Sequence, residues 1–360
     1  DVADLRTELA PPVHVVDAAT GVEVPSQFVT RDGDAFLRIR ASNMPSLGYR
    51  VFEVRSGPGP GRPASARQAA PPSVDNGIYA VTLGPRGEIT SLVDHKDSNR
   101  QLVDVAGGGA ILDLGSGSGA AEVETSGPVS TTLRVVAGGS PPHETRVTLH
   151  AGIDRVDLES RITGNFGTTV TYASAFDLTG MVMRHEEVGM IARVARAADG
   201  GDYADQNART DFLTLNHFVD LSEAGRGVTL SNWDASFFQA GSSTVDVLDG
   251  VTAALRVVAG MQVDGPALGF PDQGGDSSFL HRFALRTHVG GYDPSRAMRF
   301  ALEHQNPLVA ARVTGGPGAP LPPGIWSLLS VAGPAIVVWA LKPAEEGAGP
   351  GVIARRWNLA

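Results

Sequence analysis

The chain has 360 residues, of which 42% are hydrophobic, and its 29 basic and 39 acidic residues give a formal net charge of −10. This length and apolar content can bury one large hydrophobic core or about two ordinary ones. The basic residues are scattered among acidic ones, so no basic stripe is available to neutralise a phosphate backbone, and nucleic acid is excluded as an expected partner. No run of about 18 apolar residues is present, which excludes a membrane-spanning helix.

Cysteine is absent from the sequence, so neither disulfides nor thiolate metal sites can stabilise the fold. The sequence shows no charged and apolar leader. It begins at Asp1 rather than Met, so we expect a piece of a longer protein. The sequence does not fix the compartment, but its acidic charge and its lack of a leader and of cysteine favour a bacterial cytoplasm.

In chain order, the first marked feature is a segment rich in proline and glycine at 57–73, which predicts a linker between two domains. Residues 79–83 and 88–93 are short strand-like runs that flank a Gly-Pro-Arg-Gly sequence at 84–87. Proline presets the backbone for a turn and glycine closes it, so this stretch predicts a hairpin.

The next feature is the glycine-rich stretch AILDLGSGSG at 110–119, which resembles the cofactor loop of a methyltransferase. Such a loop needs a helix directly after it, because the ligand binds the exposed amide groups at the helix start. Only residues 120–126 precede a Gly-Pro pair at 127–128, which is too short for an ordinary helix. A strand followed by a loop is therefore predicted here.

The clearest strand lies at 155–162, where Val156, Leu158 and Ile162 fall on one face and charged residues on the other. This alternation is typical of a half-buried antiparallel strand. Further strands are predicted from short runs of the same character at 145–149, 228–231, 278–287 and 336–341.

One helix is predicted, with Asp293 as its N-cap, Pro294 at its first position and a stop at 306–307. Many short strands and a single short helix indicate an all-β fold rather than a doubly wound sheet. The nine histidines show no HxH or HExxH spacing, and no GxSxG sequence is present. We therefore predict no catalytic residue, no metal site and no cofactor within this chain.

Several segments together resemble the C-terminal β-region of glycoside hydrolase family 38, the α-mannosidases. The most specific similarity is the pair LKPAEE at 341–346 and VIARRW at 352–357. The other similar segments are 47–54, 74–94, 124–129 and 218–232. The resemblance spans roughly residues 48–359, nearly the whole chain.

The resemblance implies a small β-sandwich domain at 1–56, the linker at 57–73, and a large antiparallel β-supersandwich of galactose-mutarotase-like type at 74–360. In the family, the zinc site and the catalytic carboxylates lie on an N-terminal barrel that no part of this sequence resembles. The resemblance therefore implies that zinc belongs to a catalytic domain outside this chain. The expected partners are that barrel and mannose-containing glycans, and self-association into a homo-oligomer is left open.

Two places are candidates for sugar contact. In the resembled family, a loop near 269–276 reaches toward the sugar, which makes Asp272 and Gln273 candidates; the alternative is an ordinary surface loop. Trp233 beside Asp234, with two phenylalanines at 237–238, could form an aromatic platform next to a hydrogen-bonding carboxylate. The alternative there is that the aromatic rings belong to the core.

Three functions are consistent with the sequence. The first is the non-catalytic β-portion of an α-mannosidase-like enzyme, which supports the catalytic barrel and contacts the glycan. The second is an independent carbohydrate-binding module. The third is a sugar epimerase or lyase, since the same fold hosts those activities and a fold alone does not fix a function.

Overall fold

The computed structural model describes residues 1–59, 72–261, 273–313 and 318–359. Most of the predicted linker at 57–73, and part of the predicted loop at 269–276 including Asp272, lie outside the described residues. Among the described residues, no helix is long and apolar enough to cross a membrane.

The strands before the predicted linker are β1 (Val2–Arg6), β2 (Val13–Asp17), β3 (Glu23–Val24), β4 (Ser26–Arg31), β5 (Asp34–Arg40), β6 (Gly48–Arg50) and β7 (Phe52–Ser56). The strands of the next part are β8 (Ser73–Asp75), β9 (Tyr79–Leu83), β10 (Ile89–Asp94), β11 (Arg100–Gln101), β12 (Ala121–Ser126), β13 (Ser130–Ala137), β14 (His143–His150), β15 (Val156–Ile162) and β16 (Val170–Ala175).

The remaining elements are β17 (Val182–Glu187), β18 (Met190–Arg193), β19 (Leu213–Thr214), β20 (Phe218–Glu223), β21 (Arg226–Asn232), β22 (Phe237–Ala240), β23 (Ala254–Gly260), β24 (Phe279–Val289), the helix α1 (Pro294–Gln305), β25 (Ile325–Ser327), β26 (Ile336–Ala344) and β27 (Gly347–Asn358). Single turns of 3₁₀-helix lie at His95–Asp97, Ala197–Asp199 and Gln273–Gly275.

The N-terminal strands form a small β-sandwich. One sheet has the order β1-β5-β4 and the other has the order β3-β2-β7. Val15, Leu37 and Ile39 are buried in its core. Strand β6 pairs instead with β25 from the far part of the chain. The division of the chain at 56 and 73 stays a prediction, because most of that segment is outside the described residues.

The rest of the fold is an antiparallel supersandwich. Within the described residues, nine strands form the large sheet in the order β12-β13-β14-β15-β24-β21-β20-β17-β18, and all its neighbouring strands are antiparallel. Two smaller sheets, β16-β23-β22-β19 and β11-β10-β9-β8, contribute with it to one apolar core. We call the face of the large sheet toward that core the inner face. The predicted all-β class, with a small sandwich and a large supersandwich, is confirmed.

The individual strand predictions are confirmed as well. The alternating run at 155–162 forms β15, in which Val156, Leu158 and Ile162 are buried. The hairpin is the pair β9 and β10. The runs at 145–149, 228–231, 278–287 and 336–341 lie in β14, β21, β24 and β26.

The glycine-rich stretch starts no helix, as the flanking sequence indicates. Ile111 makes an isolated bridge with Ile89, and β12 begins soon afterwards. Gly117 has a φ of +90°, and a Cβ there would lie 2.5 Å from the carbonyl oxygen of Gly138. Glycine is therefore required at this position by the close approach of two chain segments.

Helix α1 packs on the opposite, outer face of the large sheet, against β21, β20 and β24. Asp293 caps it, as predicted, because its side chain accepts hydrogen bonds from the backbone N–H groups of Ser295 and Arg296. Ala297, Met298 and Ala301 form the buried stripe of the helix. The small sandwich covers another part of the same outer face, so the two leave a gap between them.

Candidate functional site

That gap is a cleft of about 370 Å³ between the small sandwich, the outer face of the large sheet and the end of α1. The sandwich contributes residues of β1, β4 and β5, and the large sheet contributes residues of β12 to β15 and β24. His304 of α1 and Leu308 just beyond it close one end. The cleft is therefore built from segments that are distant in sequence.

A buried glutamine fastens the small sandwich to the large sheet beside the cleft. The Oε1 atom of Gln27 accepts hydrogen bonds from the backbone N–H groups of Val129 and Ser130, both at 2.8 Å. Its Nε2 atom donates to the carbonyl oxygen of Ser130 at 3.1 Å. Arg38 adds a hydrogen bond to the Ser130 hydroxyl at 2.9 Å. These contacts set the spacing of the two cleft walls.

The alternation of the strands makes the cleft floor polar. In β14 and β15, Thr148 and Asp157 are cross-strand partners, and so are Arg146 and Glu159. Successive side chains of a strand point to opposite faces, so the apolar neighbours of these residues lie in the core while the polar ones line the cleft.

Most of the charged side chains of the cleft form ion pairs. Arg38 binds Asp4 through two hydrogen bonds of 2.7 Å. Arg31 of the small sandwich forms an ion pair with Glu159 of the large sheet. Arg146 binds Glu124 at 2.9 Å, and also pairs with Glu144. The floor thus carries donors and acceptors of both charge signs side by side.

His150 and Asp157 form a buried pair at the cleft, with Nε2 and Oδ2 2.9 Å apart. Burial lowers the pKa of His150, because desolvation disfavours its charged form. Burial would raise the pKa of Asp157, but the charge of Arg155 and the hydrogen bond from His150 outweigh it and lower that pKa. A neutral histidine that donates to an ionised aspartate is the arrangement these shifts support.

The predicted residue Trp233 lies in the cleft wall. Strand β21 ends at Asn232, whose buried side chain accepts a hydrogen bond from the N–H of Ala235 at 2.9 Å and donates to the carbonyl oxygen of Leu215 at 3.0 Å. This Asx-type turn carries Trp233 and Asp234 past the strand end toward β24.

Arg282 of β24 connects these two residues. Its guanidinium lies over the ring of Trp233, 3.6 Å from the ring centre. The Asp234 carboxylate accepts hydrogen bonds from its Nη2 and Nε atoms at 2.6 and 2.9 Å. The hydrogen bonds from Asp234 raise the pKa of Arg282, so its guanidinium stays charged. A cation held over an indole ring is a stabilising arrangement.

His304 borders Trp233 on another side. The two rings meet edge to face, with centres 6.0 Å apart, and the His304 Nδ1 atom lies 2.9 Å from the hydroxyl of Ser231. Burial lowers the pKa of His304 to about 4, so it is neutral at pH 7. Trp233 is thus fixed between a guanidinium and a neutral imidazole.

The structure brings some of the predicted site residues together. Trp233 and Asp234 meet at Arg282, and Trp233 lines the cleft whereas Asp234 binds Arg282 behind it. Gln273 lies elsewhere, beside Gly260 at the end of β23. Its Oε1 atom is 2.6 Å from the position that a Cβ would take if Gly260 carried a side chain. Asp272 is outside the described residues. The proposed sugar contacts of all four stay predictions.

Sequence reasoning missed Arg282, His304 and the part of the small sandwich that faces the cleft. A signal existed for His304, which is three positions after Ala301 and so shares the buried side of the predicted helix. For Arg282, the alternation of residues in β24 predicts which face of the sheet it lies on, but not that Trp233 is its neighbour. The contacts between the small sandwich and the large sheet join distant residues, so no local sequence pattern indicates them.

In the described part of the chain, no three His, Asp or Glu side chains are close enough together to bind a metal ion.

Comparison with known proteins shows a shared fold. No family model matches the chain and no curated protein matches it. The crystal structure of an alpha-mannosidase from Enterococcus faecalis matches 98% of this chain and 46% of that chain, with 14% identity and a TM-score of 0.68. A protein in the glycosyl hydrolase family 38 from the same organism matches 98% of this chain and 47% of that chain, with 14% identity and a TM-score of 0.71.

This chain spans about half the length of those two proteins. At such low identity the similarity shows the fold and does not by itself carry over an activity. A galactose mutarotase related enzyme from Lactobacillus acidophilus matches 61% of this chain and 98% of its own, with 13% identity and a TM-score of 0.38.

Proposed function

We propose that the chain is the C-terminal β-region of an α-mannosidase-like glycoside hydrolase and supports a catalytic domain encoded elsewhere in the full protein. The observation that carries this proposal is the fold match over 98% of the chain to two proteins named as an alpha-mannosidase and as a member of glycosyl hydrolase family 38.

The chain's own residues suit a supporting role. Several charged side chains on the outer face of the large sheet are held in ion pairs, such as Glu124 with Arg146, and Glu159 with Arg31 of the small sandwich. In the described residues, we assign no side chain to bond cleavage. Zinc, the catalytic carboxylates and the main glycan contacts are proposed to belong to the catalytic domain.

The test is hydrolysis of 4-nitrophenyl α-mannopyranoside by the full-length gene product and by this chain alone. We expect turnover by the full-length protein, loss of that turnover with a zinc chelator, and no turnover by the chain. Turnover by the chain alone, or a full-length protein that only interconverts sugar anomers, would contradict the proposal.

A further inference from the structure

We infer that the cleft between the small sandwich and the large sheet binds a neutral sugar of one or two pyranose rings, with Trp233 as its aromatic wall. This inference deepens the proposed function, from which it takes mannose as the sugar to test. The size, the charge pairing and the wall chemistry of the cleft support this ligand class.

The cleft has the size of a small-molecule site. Small-molecule sites enclose roughly 300–1,000 Å³, and the cleft volume of about 370 Å³ lies near the lower end of that range. A volume of this size accommodates one or two sugar rings and is too small for a long oligosaccharide or a folded partner. The ligand is therefore a terminal sugar or a disaccharide unit.

Most of the charged side chains in the cleft already have a partner of opposite charge. The pairs Arg38 with Asp4, Arg31 with Glu159, and Arg155 with Asp157 bring opposite charges into contact along the cleft. A charged ligand that binds beside such a pair competes with one member for the other, which leaves a charge without its partner. A neutral polyol donates to carboxylates and accepts from guanidinium groups, so it leaves the pairs intact.

The walls of the cleft combine apolar and hydrogen-bonding groups. Pyranose rings have an apolar C–H face and hydroxyl edges, so their sites need an aromatic or apolar wall opposite hydrogen-bonding groups. Trp233 and Leu308 supply the apolar wall, and the hydroxyl groups of Thr30 and Thr148 lie among the polar lining. The indole is already fixed by Arg282 and His304, which reduces the entropy lost on binding.

Several polar atoms of the cleft lining have no hydrogen-bond partner. In the described protein, the hydroxyl oxygen of Thr125 and the Oε1 atom of Glu159 are buried without a hydrogen bond, and the contact of Oε1 with Nη1 of Arg146 is a long ion pair of 3.7 Å. Burying a polar atom without a hydrogen bond is costly. A sugar hydroxyl that donates to Glu159 or binds Thr125 would satisfy them after a small side-chain adjustment.

The test is isothermal titration calorimetry of the chain with methyl α-mannopyranoside, mannose 6-phosphate and mannosamine at matched concentrations. We expect the neutral mannoside to bind with a Kd at least tenfold lower than either charged sugar. No heat from the neutral sugar, or tighter binding of a charged one, would overturn the inference.

Variants of the chain locate the binding. Trp233→Ala should raise the Kd at least tenfold, whereas the matched control Trp339→Ala, at a half-exposed tryptophan on β26 outside the cleft, should change it less than twofold. If Trp233→Ala fails to fold, Thr30→Trp provides a second test. Thr30 is exposed and lines the cleft, so an indole ring at that position should block the cleft. Unchanged affinity in either folded variant would contradict the site.

The two proposals can fail separately. Hydrolysis by the full-length protein without sugar binding by this chain would remove the cleft assignment and leave the proposed function. Sugar binding in the cleft without α-mannoside hydrolysis by the full-length protein would remove the proposed function and leave the cleft assignment.

Discussion

The two faces of the large sheet have opposite composition and different roles. Toward the core, side chains such as Leu149 and Leu158 are almost completely buried among apolar neighbours. On the outer face, the adjacent residues Thr148 and Asp157 lie beside the cleft. One strand therefore supplies the stability of the fold with every second residue and the candidate site with the residues between. We expect substitutions on the two faces to separate these roles.

The largest expected effect is on the inner face. Leu149→Ala removes a fully buried side chain of β14 and leaves a cavity, which should lower the free energy of unfolding by roughly 2–5 kcal/mol. Thr148→Ala changes the preceding residue, which lies on the outer face. It should lower the free energy of unfolding by about 1 kcal/mol, because the hydrogen bond to Thr132 is lost. Urea unfolding measures both, and equal losses would contradict the division of roles.

The next effect is the pH dependence that arises from His304. Burial lowers its pKa from 6.5 to about 4; the charge of Asp157 opposes this shift to a smaller extent, and the charge of Arg155 adds to it. Between those pH values the unfolded chain binds a proton that the folded chain does not. The free energy of unfolding should therefore fall as the pH decreases through this window, by about 3 kcal/mol from this group.

His304→Gln isolates that contribution, because it removes the titrating ring and keeps a hydrogen-bonding side chain beside Ser231. The measurement is the free energy of unfolding of both proteins between pH 7 and pH 4. The stability of the variant should depend less steeply on pH than that of the wild type. Parallel pH profiles would show that His304 does not titrate with a lowered pKa.

The smallest effect on stability is expected at Asp234, which is partly exposed. Asp234→Asn weakens its ion pair with Arg282, and surface pairs contribute less than about 1 kcal/mol. The matched control Glu53→Gln weakens the exposed pair with Arg55 in the small sandwich. Both variants should unfold nearly as the wild type does.

Only Asp234→Asn should also weaken binding of methyl α-mannopyranoside, by roughly threefold to tenfold, because Arg282 is then less firmly held over Trp233. Calorimetry of both variants measures this difference. Equal affinities in the two variants would remove the positioning role of Asp234.

Much of the fold could be predicted from the sequence. A strand that faces the apolar core on one side and a polar surface on the other alternates between apolar and polar residues. The alternation in β15, the turn between β9 and β10, and the cap at Asp293 are local patterns with local physical causes. They predicted element type and position correctly, and the absence of a helix after the glycine-rich stretch followed from the same local reasoning.

The candidate site could be predicted only in part. Trp233 and Asp234 stand out because a tryptophan beside a carboxylate is chemically recognisable. Arg282 lies 48 positions after Asp234, and Gln27 contacts the sheet across 103 positions. No periodicity reports such distant contacts, so the cleft that they create is visible only once the chain is folded.

The most direct test of the account is a crystal structure of the chain soaked with methyl α-mannopyranoside. We predict one pyranose ring in the cleft, against Trp233 and within hydrogen-bonding distance of the polar residues of β14 and β15. A sugar bound only elsewhere on the surface, with the cleft free of it, would contradict the assignment of the outer face as the binding face.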